Sequence, residues 1–261
     1  MHILITNDDG ITAPGIQTLA RVAVAQGHQV TVCAPHKQMS AMGHRLTITD
    51  PMVVWDYEIT GARAYSVDGT PVDCVRIGLT VAKSPVDICL SGINDGHNAG
   101  TAIYYSGTAA AAREASMLYI PAIAISISRG ADESMRQNLA EVALHMAGYI
   151  IDHPLPRLTF CNLNAPSLPV EQLKPLQLAE ISQSFYLDGY EMRTNPRGVS
   201  YFWMKDSEQT ETPLPGTDQA LLEQGHVTCT FVGPYAQHND QYQAIPDAFR
   251  QGAQPSEERK Q

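Results

Sequence analysis

The stretch His2-Ile3-Leu4-Ile5-Thr6-Asn7-Asp8-Asp9-Gly10 decides how the rest of the chain reads. Its first five residues are short in span and rich in apolar and β-branched types, the pattern of a buried strand. Asn7-Asp8-Asp9-Gly10 stops that strand, and Pro14 opens a helical pattern with proline in the first turn, where it is tolerated. A strand that turns straight into a helix is the start of an open α/β sheet, in which ligands sit just beyond the carboxyl ends of the strands. Asp8 and Asp9 put two negative charges at such an end. Like charges this close raise one another's pKa unless a cation lies between them, and a divalent metal ion meets that need. The plainer reading of Asp-Asp-Gly is a polar turn after a strand. Its position, and the loops described below, favour the metal.

Outward from this stretch, strand and helix patterns alternate to about residue 165. A helix is expected over Pro14–Ala25 and a strand over Gln29–Ala34, stopped by Pro35. A polar loop, His36–Arg45, leads to β-like material around Thr47–Trp55 and Arg63–Val67. Thr70-Pro71-Val72-Asp73 combines a capping hydroxyl, proline at the first position and an acid in the first turn, so a helix starts there. Val86–Ser91 reads as a strand running into a Gly- and Asn-rich loop that lasts to Gly107. The Ala-rich Thr108–Leu118 reads as a closely packed helix, Pro121–Ile127 as a strand, Glu133–Ile151 as a helix and Leu158–Leu163 as a strand.

This alternation predicts an α/β fold with a doubly wound, mostly parallel, Rossmann-like sheet. After Pro166 prolines and polar residues increase, and the expected strands (Leu176–Ile181, Val199–Met204, His226–Val232) are separated by turns. The expected organisation is a Rossmann-like catalytic core over residues 1–165, a C-terminal antiparallel, β-rich extension used in oligomerisation over 166–250, and a flexible tail over 251–261.

Composition narrows the function. The formal net charge of −10 argues against a protein that tracks polymeric nucleic acid, which needs a basic surface. It leaves room for a small anionic substrate at a locally positive site. The five cysteines form no C-x-x-C and lie in apolar patterns, so buried free thiols are expected. No signal peptide precedes the first strand and no apolar run approaches the ~20 residues of a membrane helix, so no membrane association and a cytoplasmic location are expected. P-loop, dinucleotide and nucleophile-elbow fingerprints are all missing.

Doubly wound topology brings the loops after successive strands to one sheet edge. There Asp8 and Asp9 would meet Ser40, after Pro35, and Asn94, in the loop after Ser91. Two carboxylates, a hydroxyl and an amide carbonyl are oxygen ligands, suited to Mg²⁺, Mn²⁺ or Ca²⁺ rather than zinc or copper. Tyr104-Tyr105-Ser106-Gly107-Thr108 precedes the Ala-rich helix. A helix N-terminus attracts anions, Ser106 and Thr108 add hydroxyls, and Gly107 allows close backbone approach. A phosphate would bridge such a terminus and a neighbouring metal, and one aromatic near the site could hold a nucleobase.

At these residues the chain resembles the SurE (survival protein E) family of metal-dependent nucleotidases. The ordered motifs that carry the resemblance are Thr6–Ile11, Ala34-Pro35 with Ser40, Gly69–Val75, Ser91–Asn94 with Gly96 and Asn98, and Tyr105–Thr108, followed by Asn195–Gly198 and Gly216–Asp218. The resemblance implies hydrolysis of nucleoside 5′- and 3′-monophosphates to nucleoside and phosphate, and action on short polyphosphate by some members. It implies one divalent ion per subunit, Mg²⁺ or Mn²⁺, held by Asp8, Asp9, Ser40 and Asn94, with Asn98, Ser106, Gly107 and Thr108 near the phosphate. It also implies a homodimer or homotetramer formed through exchanged C-terminal elements. Ala41 stands where the family usually has Gly after the serine, Ala115-Ser116 where Glu-Gly is common, and Asn195 where Asp is common. In the mechanism expected here, Asp8 or Asp9 is the base for an attacking water. A route through an aspartyl-phosphate and a non-catalytic nucleotide or metal sensor are the alternatives.

Overall fold

The computed structural model describes residues 1–234 apart from 188, 206, 207 and 210; the expected tail over 251–261 lies outside the described residues. The first half alternates β1 (His2–Thr6), α1 (Pro14–Ala25), β2 (Gln29–Pro35), β3 (Val54–Ile59), β4 (Ala62–Val67), α2 (Pro71–Val81) and β5 (Ile88–Asp95). A 3-10 turn (Gly100–Tyr104) then leads into α3 (Gly107–Met117), β6 (Ala122–Ile127), α4 (Glu133–Asp152) and β7 (Phe160–Ala165). The remainder holds β8 (Lys174–Leu178), β9 (Tyr186–Leu187), β10 (Tyr190–Thr194), β11 (Ser200–Met204), β12 (Glu208–Gln209), α5 (Asp218–Glu223) and β13 (His226–Val232).

Among the described residues nine strands form one sheet in the order β3-β4-β2-β1-β5-β6-β7-β13-β8. From β4 to β7 every neighbouring pair is parallel, as the β–α alternation predicts. The chain builds outward from β1 through β2 to β4, then returns to place β5 on the other side of β1. That reversal is the topological switch at which open α/β sheets bind ligands, and Asp8 and Asp9 follow the strand at its centre. Two apolar layers enclose the sheet. Ile3, Ile5, Leu90, Ile123 and Leu163 pack under α1 and α4, while Leu4, Cys33, Cys89, Ala124 and Phe160 pack under α2 and α3. All five cysteines are buried free thiols.

Local chemistry explains the helix starts. In α2 the Asp73 N–H donates to the Thr70 hydroxyl at 3.2 Å and the Thr70 N–H donates to the Asp73 carboxylate at 2.9 Å, a reciprocal capping box. α3 is capped by Ser106, which accepts the Ala109 N–H at 3.0 Å, so it begins at Gly107 rather than Thr108. Its alanines are buried, and these small side chains let the helix lie close on β5 and β6. α1 also lies close on β5, where a Cβ on Gly15 would stand 1.9 Å from the Ile93 carbonyl oxygen.

Three expectations change. Residues 47–53 are irregular, and the strand expected around Thr47–Trp55 is β3, Val54–Ile59. The reason is that Thr47 gives its N–H and its hydroxyl to Asp73, at 2.9 and 2.7 Å, and so anchors a loop instead of joining a ladder. β5 runs on past Ser91 to Asp95, with a bulge between Ser91 and Asn94, so Asn94 is the last residue but one of a strand instead of lying in a loop. The Gly92–Ile93 peptide within it is cis. Beyond residue 165 the expected strand at Val199–Met204 is β11, and it pairs antiparallel with β10, a strand the sequence reading does not include. β13 and β8, however, join the main sheet, β13 antiparallel to β7 and β8 parallel to β13. Among the described residues no helix is long and apolar enough to cross a membrane.

Candidate active site

The site begins with the turn that ends β1. The Asn7 side chain closes it, donating to the Gly10 carbonyl at 2.9 Å and accepting the Gly10 N–H at 3.2 Å. This turn sends Asp8 inward, where only 4% of it is exposed, while Asp9 is half-buried. Asp8 lies against the first turn of α3, and the Thr108 hydroxyl donates to its Oδ1 at 2.5 Å. A Cβ on Gly107 would stand 2.7 Å from the Asp8 Cβ and 2.9 Å from its Oδ2. Gly107 is thus required by the approach of Asp8, in addition to the anion contact expected of it.

Asp9 ties the neighbouring strand ends together. Its Oδ2 accepts the Asp95 N–H at 3.0 Å, and the Gln38 side chain hydrogen-bonds to it as well. Gln38 also donates to the Ser40 hydroxyl at 3.0 Å, and the Met39 N–H donates to the Asp8 carbonyl at 2.7 Å. Asn94, one residue before Asp95, donates its Nδ2 to the Gly96 carbonyl at 2.6 Å, which leaves its Oδ1 to serve as acceptor. The ends of β2, β1 and β5 therefore bring Asp8, Asp9, the Ser40 loop and Asn94 into one neighbourhood.

The loop that carries Ser40 is pinned by groups of α2 and α3 and of the residues just before them. Glu114 of α3, buried, accepts from Arg76 of α2 at 2.6 Å and pairs with His44 at 2.8 Å. The Gly43 N–H donates to the Tyr105 carbonyl, and the Thr70 hydroxyl donates to the Arg45 carbonyl. Ala41, where the family usually has glycine, keeps a left-handed backbone with φ of 58°. A Cβ is disfavoured there by roughly 1–2 kcal/mol.

Asn98 sits deeper than a residue that only meets a ligand. It is buried, and its Nδ2 donates to the Ser126 hydroxyl at 2.9 Å. Ser106 spends its oxygen as the cap of α3. Gln38, Asp95, Arg129 and the Arg76–Glu114–His44 set were missed by the sequence reading. For Asp95 the signal was its place beside Asn94, and for Arg129, whose charge lowers the Asp9 pKa, its place just after β6. Gln38 and His44 carried no signal.

Burial is the main cause that raises the Asp8 pKa to about 6, against the opposing Thr108 hydrogen bond and with added repulsion from Asp9. Burial likewise raises Asp9, with Asp95 adding repulsion. No ion pair within 4.0 Å is formed by either carboxylate among the described residues. Nor, among the described residues, do three or more His, Cys, Asp or Glu side chains gather to hold a metal there. What the site offers is two carboxylates and neutral oxygens, in a place that disfavours bare negative charge. That donor chemistry fits a hard divalent cation.

Two outcomes follow from this geometry. A folded-state pKa raised above the unfolded value means that stability is fully present below about pH 4 and is lost as pH rises through about 6. In metal-free protein near neutral pH, Asp8→Asn should therefore raise stability by about 3 kcal/mol, with the gain vanishing in acid; denaturant melts across pH measure this. Ala41→Gly should stabilise the fold by about 1 kcal/mol, read from the shift in the denaturation midpoint.

Comparison with known proteins agrees with this architecture. Residues 3–188 match the profile of the family described as survival protein SurE. A protein of Carboxydothermus hydrogenoformans named 5′-nucleotidase SurE is 40% identical over 235 residues, covering 88% of this chain and 89% of the relative. Its namesake in Thermosipho africanus is 35% identical over 252 residues, covering 95% and 98%. The crystal structure of the SurE protein from Aquifex aeolicus superposes with a TM-score of 0.79 at 30% identity, covering 97% of this chain and all of that one. With the profile spanning most of its length and relatives aligned nearly end to end, the chain belongs to the SurE family.

Proposed function

We propose that this protein is a nucleotidase that uses one divalent ion per subunit, Mg²⁺ or Mn²⁺, to hydrolyse nucleoside 5′- and 3′-monophosphates to nucleoside and phosphate. Short-chain polyphosphate is a further substrate in this reading. The observation that carries it is the contact between Asp8 and the first turn of α3, which would set a cation held by Asp8 beside a helix N-terminus suited to an anion. A phosphate is the group that answers both. The names of the relatives, 5′-nucleotidase SurE, support the same activity.

Asp8, Asp9, Ser40 and Asn94 would hold the ion. When bound, it supplies positive charge to the phosphoryl oxygens and lowers the pKa of water. The chain does the rest. Thr108 fixes the orientation of Asp8, and Asp95 and Gln38 fix that of Asp9. Either carboxylate, its basicity raised by burial, can take the proton from an attacking water. Asn98 and the first turn of α3 from Ser106 to Thr108 meet the charge that spreads over the phosphoryl oxygens in the transition state. Tyr105, exposed and next to Ser106, offers a ring to the nucleobase at the rim.

We also propose a homodimer or homotetramer, working in the reducing cytoplasm, an environment that five free thiols suit. In the β10–β11 hairpin Tyr190 lies opposite Met204 and Met192 opposite Phe202, so these four share one face, and all are more than half exposed. A two-stranded ribbon is marginal in water by itself, and an apolar face of this kind calls for a second copy.

Chelator-stripped protein should release phosphate from nucleoside monophosphates only after Mn²⁺ or Mg²⁺ is added, and Asp9→Asn should lower kcat by about 10²–10⁴. Tight nucleotide binding without any metal-restored release overturns the hydrolytic reading in favour of a sensor. Light scattering should find a dimer or tetramer, and the double variant Met192→Ser with Phe202→Ser should shift it toward monomer. A monomeric unsubstituted protein removes the proposed assembly.

A further inference from the structure

Central strands of a doubly wound sheet are normally apolar on both sides, because helices cover both faces. β7 departs from that rule. Asn162 and Asn164 are fully buried on the face that carries α3, where Ala124 and Ser126 of β6 stand beside them in register. On the other flank β13 sets Thr230 against Asn162 and Thr228 against Asn164. The Asn162 Oδ1 and both threonine hydroxyls have no hydrogen-bond partner among the described residues. Burying such groups works against stability, and apolar side chains of the same size would suit the sheet better.

Their positive contacts converge on one residue. The Asn98 N–H donates to the Asn164 Oδ1 at 2.7 Å. The Asn98 carbonyl accepts from the Asn162 Nδ2 at 2.9 Å and from the Asn164 Nδ2 at 3.4 Å. Both backbone polar groups of Asn98 are thus held by side chains of β7, while its own amide is turned toward Ser126. Two residues on, the Gly100 N–H donates to the buried Asp218 of α5 at 2.9 Å, and the other Asp218 oxygen accepts the Ser182 N–H at the same distance. A loop between Asn94 and the 3-10 turn is thereby tied to the sheet and to α5 without any apolar anchor in these contacts.

We propose that Asn162 and Asn164 are positioning residues for the reaction, an amide clamp that sets the backbone of Asn98 and through it the contact with phosphate. The inference rests on the reading above that Asn98 meets the phosphate. It adds that part of the phosphate site is built from β7, a strand that holds none of the residues expected to touch substrate. It also explains why two carboxamides occupy places where leucine or valine would stabilise the fold.

The test is a double-mutant cycle with a binding readout independent of turnover. Calorimetry measures inorganic phosphate binding in the presence of Mg²⁺, electron paramagnetic resonance measures Mn²⁺ binding alone, and steady-state assays give kcat/KM. Asn164→Leu should weaken phosphate binding about tenfold, lower kcat/KM by about tenfold to a hundredfold, and leave Mn²⁺ affinity within about twofold. On an Asn98→Ala background the same substitution should do little more, because a residue that acts through Asn98 has nothing left to position. Unchanged phosphate binding in a folded variant overturns the clamp. So does an equal loss on the Asn98→Ala background, or a parallel loss of Mn²⁺ affinity. If Asn164→Leu does not fold, Asn164→Asp, which keeps the acceptor for the Asn98 N–H but repels its carbonyl, is judged by the same criteria. Unsubstituted protein that binds phosphate yet releases none from any nucleotide refutes the nucleotidase reading, and the cycle on phosphate binding still decides the clamp. Unsubstituted protein that binds no phosphate overturns both.

Discussion

A carboxylate kept almost entirely out of water at the end of a central strand is the constraint around which this structure is arranged. Asp8 carries it. Withdrawing an acid from solvent disfavours its charged form, and here the disfavour is enough to move its pKa to about 6. The surrounding residues are explained as responses. Gly107 has no side chain because one would collide with Asp8, and Thr108 turns its hydroxyl to the carboxylate. Asn7 closes the turn that aims it, and Met39 donates to its backbone. A fold optimised for stability alone would hold an apolar residue here. Retaining the acid makes sense where a cation completes it.

The sheet order supplies the place, and packing supplies the precision. Because β1 has β2 on one side and β5 on the other, and the three run parallel, the segments leaving them emerge at the same edge of the sheet. Their positions are then set by contacts with the helices behind them. Glu114 joins α2, α3 and the Ser40 loop through Arg76 and His44, and Asp73 serves at once as a helix cap and as an anchor for Thr47. The loop geometry at Ala41 persists although the residue there is unfavourable for it, which shows how firmly these anchors over-determine the backbone.

Much of this was legible in the sequence, and the reasons differ from place to place. α1, α2 and β1 follow from local signals: proline in a first turn, a threonine cap three residues before an acid, a short apolar run ended by Asn-Asp-Asp-Gly. The oxygen character of the site follows from residue types alone. Asn94 reads as a loop residue because the stretch after Ser91 is rich in Gly and Asn, whereas β6 continues to pair beyond the bulge. Thr47–Trp55 looked like a strand because its residues suit one, but Asp73 claims the backbone of Thr47. The two strands after residue 165 that complete the main sheet gave no sign of their destination, since periodicity reports that a strand forms and says nothing of its neighbour.

What the amino-acid sequence determined by itself was the set of elements and the kind of chemistry, because capping, β-branching, proline and carboxylate pairs act over a few residues. Tertiary structure decided which groups meet. It placed Thr108 on Asp8 across 100 positions of the chain and Asn164 on Asn98 across 66. It turned Glu114 from one acid in a helix into the hub of a loop. Those meetings depend on strand order and on how closely the layers pack, and both are properties of the assembled sheet rather than of any one stretch.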